Sequence, residues 1–85
     1  MKELTFTIKD ETGIHARPAA MLVKEASKFP CKITIRKEKK EVDAKSIFAV
    51  MSLGAKYKEQ IIVRTDGEQE EEAIEVLHKL LEENM

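Results

Sequence analysis

Leu4, Phe6 and Ile8 alternate with Thr5, Thr7 and Lys9, the period of two expected of a strand with one buried face. Glu11-Thr12-Gly13 breaks the alternation, and Ala19, Leu22, Val23 and Ala26 then recur at helical spacing up to Phe29-Pro30. Ala16, Ala20 and Lys24 fall on a different face of that helix, so small residues line a surface open to close approach. Ile33 and Ile35 alternate with Lys32, Thr34 and Arg36, and a charged turn, Lys37-Glu38-Lys39-Lys40, leads to a short strand around Val42. This is a hairpin whose turn lacks glycine, which leaves its type and register the least defined local feature. Ser46 stands before Ile47, Phe48, Val50 and Met51, where it can cap a short second helix that Gly54 ends in the left-handed conformation. Ile47 and Phe48 cannot both point inward from so short a helix, so one of them is expected on an exposed apolar patch.

The loop Ala55-Lys56-Tyr57-Lys58-Glu59 leads to a last strand at Ile61, Ile62 and Val63, and Asp66-Gly67 turns the chain. From Glu68 onward, Ala73, Ile74, Leu77, Leu80 and Leu81 make an apolar helical stripe, with Glu68, Glu70, Glu71 and Glu72 at its favourable N-terminal end. The order strand, helix, strand, strand, short helix, strand, helix predicts an α+β fold, one antiparallel sheet whose single apolar face is covered by helices.

Length and charge narrow the picture. The 85 residues suit one domain spanning 1–85. With 15 basic and 16 acidic side chains and a net charge of −1, nothing in the bulk electrostatics draws the chain to nucleic acid or anionic lipid, so partners must be found through local patches. Cys31 is the only cysteine, which excludes an intrachain disulfide and, with two distant histidines, a zinc cluster; it reads as a small buried apolar residue. Charges near the first residues stand where a signal peptide needs an apolar run, and no stretch of about 18 apolar residues follows, so a cytoplasmic protein without membrane insertion is expected. The high share of charged residues, 36%, fits a thermophilic source and solubility equally well. His78 lies beside the stripe of the last helix with no acidic or cysteine cluster apparent around it, and is given no function.

The chemistry concentrates in Gly13-Ile14-His15-Ala16-Arg17-Pro18-Ala19-Ala20, where a strand hands over to a helix. Pro18 lacks an N–H and fits a first helical turn, whose donors have no intrahelical partners. His15 is then expected just before the helix, where the free N–H groups of Ala16 and Arg17 and the positive end of the helix dipole make an anion site. Arg17 adds a permanent charge and a forked donor. A neutral imidazole at such a site suits phosphoryl transfer, since its lone pair attacks while donors wait for the phosphoryl oxygens. The dipole disfavours imidazolium, so His15 is expected to titrate below the ordinary value of about 6.5. A lone histidine is more often a surface or capping residue; Gly13, Arg17 and Pro18 tip the reading toward chemistry.

The heptapeptide Gly-Ile-His-Ala-Arg-Pro-Ala closely resembles the phosphorylation-site motif of the HPr family, the histidine-containing phosphocarriers of the bacterial sugar phosphotransferase system. Lys45-Ser46-Ile47 followed by Val50-Met51-Ser52-Leu53-Gly54 resembles the regulatory serine region of the same family at the same distance along the chain. The resemblance implies an open-faced sandwich with strand order 1-4-2-3 and three helices on one face, bringing His15 and Ser46 near each other on one surface. It implies a carrier rather than an enzyme: His15 is phosphorylated through Nδ1 by Enzyme I and passes the group to enzyme IIA components of sugar permeases, with Arg17 assisting. Ala20, Lys24, Ile47, Phe48 and Met51 would form the partner docking surface. Ser46 would be a regulatory phosphorylation site, served by a kinase and phosphatase and read by a catabolite-control transcription regulator. No cofactor is implied, since magnesium and phosphoenolpyruvate belong to Enzyme I, and a monomer is expected. Three positions depart from the family pattern: Phe48 where Met or Leu is usual, Ala49 where Gly is common, and Lys58 where a loop glycine is common. None touches the phosphoryl chemistry, but Phe48 bears on partner choice and Lys58 on loop conformation. One rival reading is a regulatory protein of the same family acting by protein contact only. Another, an acylphosphatase-like α+β enzyme, lacks a glycine-rich phosphate loop and an arginine at the exit of the first strand.

Overall fold

A computed structural model describes residues 1–14 and 16–85. Its elements are β1 (Lys2–Thr7), α1 (Ala16–Ala26), β2 (Lys32–Lys37), β3 (Lys40–Asp43), α2 (Ile47–Ser52), β4 (Gln60–Asp66) and α3 (Glu70–Asn84). The strands form one antiparallel sheet in the order β1-β4-β2-β3. This is the open-faced α+β sheet implied by the family resemblance, with the helices on its apolar side.

Pleating decides which face each side chain takes. Phe6 of β1, Ile33 and Ile35 of β2, and Ile61, Val63 and Thr65 of β4 are buried toward the helices. They meet Ala19, Leu22 and Ala26 of α1, Val50 of α2, and Ala73, Leu77 and Leu81 of α3 in one core. Each large aliphatic side chain buried there contributes about 1.5 to 3 kcal/mol. Thr65 is the polar member of this layer, and its hydroxyl donates to the Glu70 carbonyl at 2.8 Å, which removes the penalty of a lone buried donor. Cys31 is buried at 2% exposure, the small apolar role expected of it. On the open face Arg64 sends two guanidinium nitrogens to Glu3 at 2.8 Å each across the β1–β4 pair, and Thr34 donates to Glu41 at 2.7 Å.

Local details refine the sequence reading. The β2–β3 loop is two residues long, between Lys37 and Lys40, and Glu38 takes the left-handed position at φ 55° that glycine would fill more easily. Lys58 likewise sits at φ 71°, a left-handed position that glycine takes freely and that carries a steric cost for a side chain. α3 begins at Glu70, which leaves Glu68 in the preceding turn; Gln69 precedes the helix at φ 65° without a side-chain cap. Glu70 compensates by accepting from the Gly67 N–H at 2.9 Å and from the N-terminal ammonium. His78 is exposed and lies 3.0 Å from Glu82, one turn along α3, so an acidic neighbour does accompany it. Among the described residues no helix is long and apolar enough to cross a membrane.

Candidate functional site

The chain reaches α1 through a tightly folded loop. The Asp10 carboxylate accepts from the Thr12 N–H at 2.9 Å and from the Thr12 hydroxyl at 2.6 Å, the side-chain turn that Asp favours at loop starts. The Gly13 N–H then donates to the Asp10 carbonyl at 2.9 Å, and the Ile14 N–H to the Ala55 carbonyl at 3.0 Å. Gly13 stands at φ +70°, and a Cβ there would come within 2.5 Å of the Ala55 oxygen. The glycine of the motif is therefore required by backbone conformation and by space. It lets residues 13–14 lie against the segment that follows α2.

His15 lies outside the described residues, and with it the expectations for its place before the helix, its titration and its proximity to Ser46. Directly after it, Ala16 and Arg17 open α1 and are exposed, while Pro18, third in the helix, is buried. The first-turn N–H groups of a helix lack intrahelical acceptors, and at this end they belong to exposed residues, with the Arg17 guanidinium among them. Among the described residues no group of three or more His, Cys, Asp or Glu could hold a metal ion.

Along α1, Ala16, Ala20 and Lys24 are exposed, on the face opposite the buried Ala19, Leu22 and Ala26. α2 runs beside it in the opposite direction. At one end Ile14 is bonded to Ala55, just past α2; at the other Lys45, just before α2, donates its Nζ to the Phe29 carbonyl at 2.7 Å, just past α1. Ser46 thus lies toward the C-terminal end of α1. It caps α2, its Oγ accepting from the Ala49 N–H at 3.4 Å, with extended φ and ψ of −119° and 118°. Gly54 follows the helix at φ +63°, the left-handed end expected of it. Ile47 and Phe48 divide as the short helix requires: Ile47 packs against the core, and Phe48 is 84% exposed. Met51 is also exposed, so α2 presents Phe48 and Met51 to solvent on the element beside Ala20 and Lys24.

Two lysines of the β2–β3 turn, silent in the sequence pattern, hold this arrangement from behind. Lys40 donates its Nζ to the Ser52 carbonyl at 2.9 Å, and Lys37 donates to the Gly54 carbonyl at 3.2 Å while lying 3.1 Å from Glu59. Glu59 also accepts from the Lys56 N–H at 2.7 Å. The Lys37 ammonium and the Lys56 N–H hold the Glu59 carboxyl below its ordinary value. The only sequence signal for these contacts was a run of charges that reads as a solvated turn.

The domain is a small open-faced α+β sandwich in which α1 opens on the exposed Ala16 and Arg17 and the neighbouring α2 carries the exposed Phe48 and Met51. The model of the PTS HPr component phosphorylation site matches residues 2–83, and the chain belongs to the HPr family of phosphocarriers of the phosphotransferase system. A phosphocarrier protein HPr of Lysinibacillus sphaericus is 45% identical over 83 residues, covering 98% of this chain and 94% of the relative. The crystal structure of HPr-C-His from Thermoanaerobacter tengcongensis superposes with a TM-score of 0.92 at 49% identity, covering 96% of this chain and 92% of that one. Crh, a Bacillus subtilis catabolite repression protein whose crystal structure shows a swapped domain and an intertwined dimer, superposes with a TM-score of 0.79 at 35% identity, over 100% and 98% of the two chains.

Proposed function

We propose that this chain is a single-domain phosphoryl carrier in which His15 accepts a phosphoryl group from phosphorylated Enzyme I and passes it to enzyme IIA components of sugar permeases. The observation that carries the reading is the conjunction of Gly13, Arg17 and Pro18 around His15 with an α1 whose first residues are exposed. In this reading the backbone of Ala16 and Arg17 receives phosphoryl oxygens, and Arg17 bridges them as charge builds on the shared group. Phe48, Met51, the accessible edge of Ile47, Ala20 and Lys24 form the docking surface. The protein works in the cytoplasm as a monomer and needs no cofactor of its own. Transfer of labelled phosphate from phosphoenolpyruvate in the presence of Enzyme I tests it directly; a chain that takes up no label at any Enzyme I concentration is not a carrier.

Arg17→Ala is expected to slow transfer by one to two orders of magnitude, as roughly 1.4 to 3 kcal/mol of lost transition-state stabilisation requires. Because Arg17 is exposed, its removal is expected to leave the unfolding midpoint unchanged. Unchanged kinetics at subsaturating Enzyme I would remove Arg17 from the machinery.

The likeness to Crh favours a second role, regulation through Ser46 by a kinase and phosphatase, with a catabolite-control transcription regulator as reader. A phosphate on Ser46 adds about −1.5 to −2 charges at a helix N-terminus, which the helix dipole tolerates. It also puts that charge one residue from Ile47 and two from Phe48, where an apolar contact must be desolvated. Ser46→Asp is therefore expected to slow His15 labelling mainly by weakening Enzyme I binding. Equal labelling by wild type and folded Ser46→Asp at limiting Enzyme I would reduce the serine to a helix cap.

A further inference from the structure

The β2–β3 turn lies far in sequence from position 15, yet Lys37 ends on the segment that residues 13–14 lean against, and Lys40 on the last residue of α2. Lys37 is the better anchored of the two. Its side chain is only 19% exposed, and its ammonium has two oxygen partners, the Gly54 carbonyl at 3.2 Å and the Glu59 carboxylate at 3.1 Å. Glu59 in turn holds the Lys56 N–H. These three contacts brace residues 54–59 at both ends. Between them lies Ala55, whose carbonyl receives the Ile14 N–H and fixes the approach of Gly13. A chain of direct contacts therefore runs from Lys37 through Gly54 and Glu59 to Ala55, then to Ile14, the residue before His15.

We propose that Lys37 is a positioning residue for phosphoryl transfer, holding the 54–59 segment so that Ile14 and the start of α1 are fixed in the geometry the reaction uses. The inference rests on His15 being the acceptor, as proposed above. A lysine suits the task because its ammonium satisfies a carbonyl and a carboxylate from one point. Lys37 touches neither phosphate nor partner in this scheme. It is expected to act on the reaction step more than on docking, since Phe48 and Met51 are carried by α2, whose last residue, Ser52, is also held by Lys40.

Lys37→Met keeps the length and apolar stem of the side chain and deletes the ammonium. The expected result is a fall in the maximal rate of His15 labelling at saturating Enzyme I of about threefold to thirtyfold, below the roughly hundredfold that an ångström of misplacement can cost. The Enzyme I concentration giving half the maximal rate is expected to stay the same, and amide exchange at Ile14 to quicken. Lys37→Arg is expected to restore most of the rate. Glu59→Gln, which retains an acceptor for Lys56 but removes the charge facing Lys37, is expected to shift the same two readouts in the same direction and covers the case of a poorly folded Lys37→Met. Faster Ile14 exchange with an unchanged maximal rate would make the brace merely structural and overturn the proposal, as would a loss confined to the half-saturating concentration. Labelling of His15→Ala would instead remove the carrier reading itself, whatever Lys37 does.

Discussion

His15→Ala is expected to take up no phosphoryl label from phosphoenolpyruvate and Enzyme I while retaining its fold. The chain has two histidines, so the alternative acceptor is identifiable: His78, exposed on α3 and paired with Glu82. That carboxylate would repel an incoming phosphoryl group, and His78 lies within the helix body, away from the free N–H groups that a helix N-terminus offers phosphoryl oxygens. Position 15 is different, because the sequence puts Arg17 and the start of α1 immediately after it. The label on wild type is expected to be labile in acid and stable in base, as a phosphorus–nitrogen bond to imidazole is, and to be lost completely in the variant. Among the described residues the entry loop is folded by the Asp10–Thr12 contacts and the backbones of Gly13 and Ile14, all of which His15→Ala leaves in place, so its unfolding transition is expected to lie close to that of wild type. Residual labelling of a folded His15→Ala, or a label that survives acid, would end the assignment.

The parts of the fold that were readable in sequence are those with a repeating signal. β1 and β2 carry an alternation, β4 a short β-branched run and α1 and α3 a helical stripe, and their core residues Phe6, Leu22, Ile35, Val63, Leu77 and Leu81 are all buried. The caps of α2 were legible for a different reason: serine before and glycine after a short apolar run have local geometric causes. Strand order was not legible from periodicity, because β1 pairs with β4 across more than fifty residues and alternation says nothing about which strand is the neighbour. It came with the family resemblance. The lysines of the β2–β3 turn and Glu59 left no periodic trace, since each contact is a single long side chain reaching a carbonyl or carboxylate distant in sequence. Phe48 shows the limit from the other side. Its exposure followed from the shortness of α2, whereas a docking role for it is a matter of chemistry outside this chain.

Gly13→Ala is expected to be the most damaging single substitution near the candidate site, destabilising the protein by about 2 to 4 kcal/mol. Three terms set the figure. A side chain at φ +70° costs roughly 1 to 2 kcal/mol. The new Cβ would lie 2.5 Å from the Ala55 oxygen and 3.0 Å from the Lys56 Cα; both are backbone atoms that no rotamer change can move aside, so the two segments must part. Parting them weakens the bond from the Ile14 N–H to the Ala55 carbonyl, about 0.5 to 1.5 kcal/mol. Against this stands about 0.4 to 1 kcal/mol from the lower entropy of alanine in the unfolded chain. Gly54 supplies an internal control: it has nearly the same conformation, φ +63°, but a Cβ there meets nothing within 4 Å. Gly54→Ala therefore pays only the conformational term and is expected to cost about 1 kcal/mol. Urea unfolding of both variants with an unchanged denaturant slope measures the difference. If the two substitutions cost the same, residues 13 and 55 are not in the close contact that fixes the entry to α1. If Gly13→Ala is the costlier, its phosphoryl uptake under native conditions is expected to fall too, because the parted loop carries away Ile14 and the start of α1, which flank His15, the proposed acceptor.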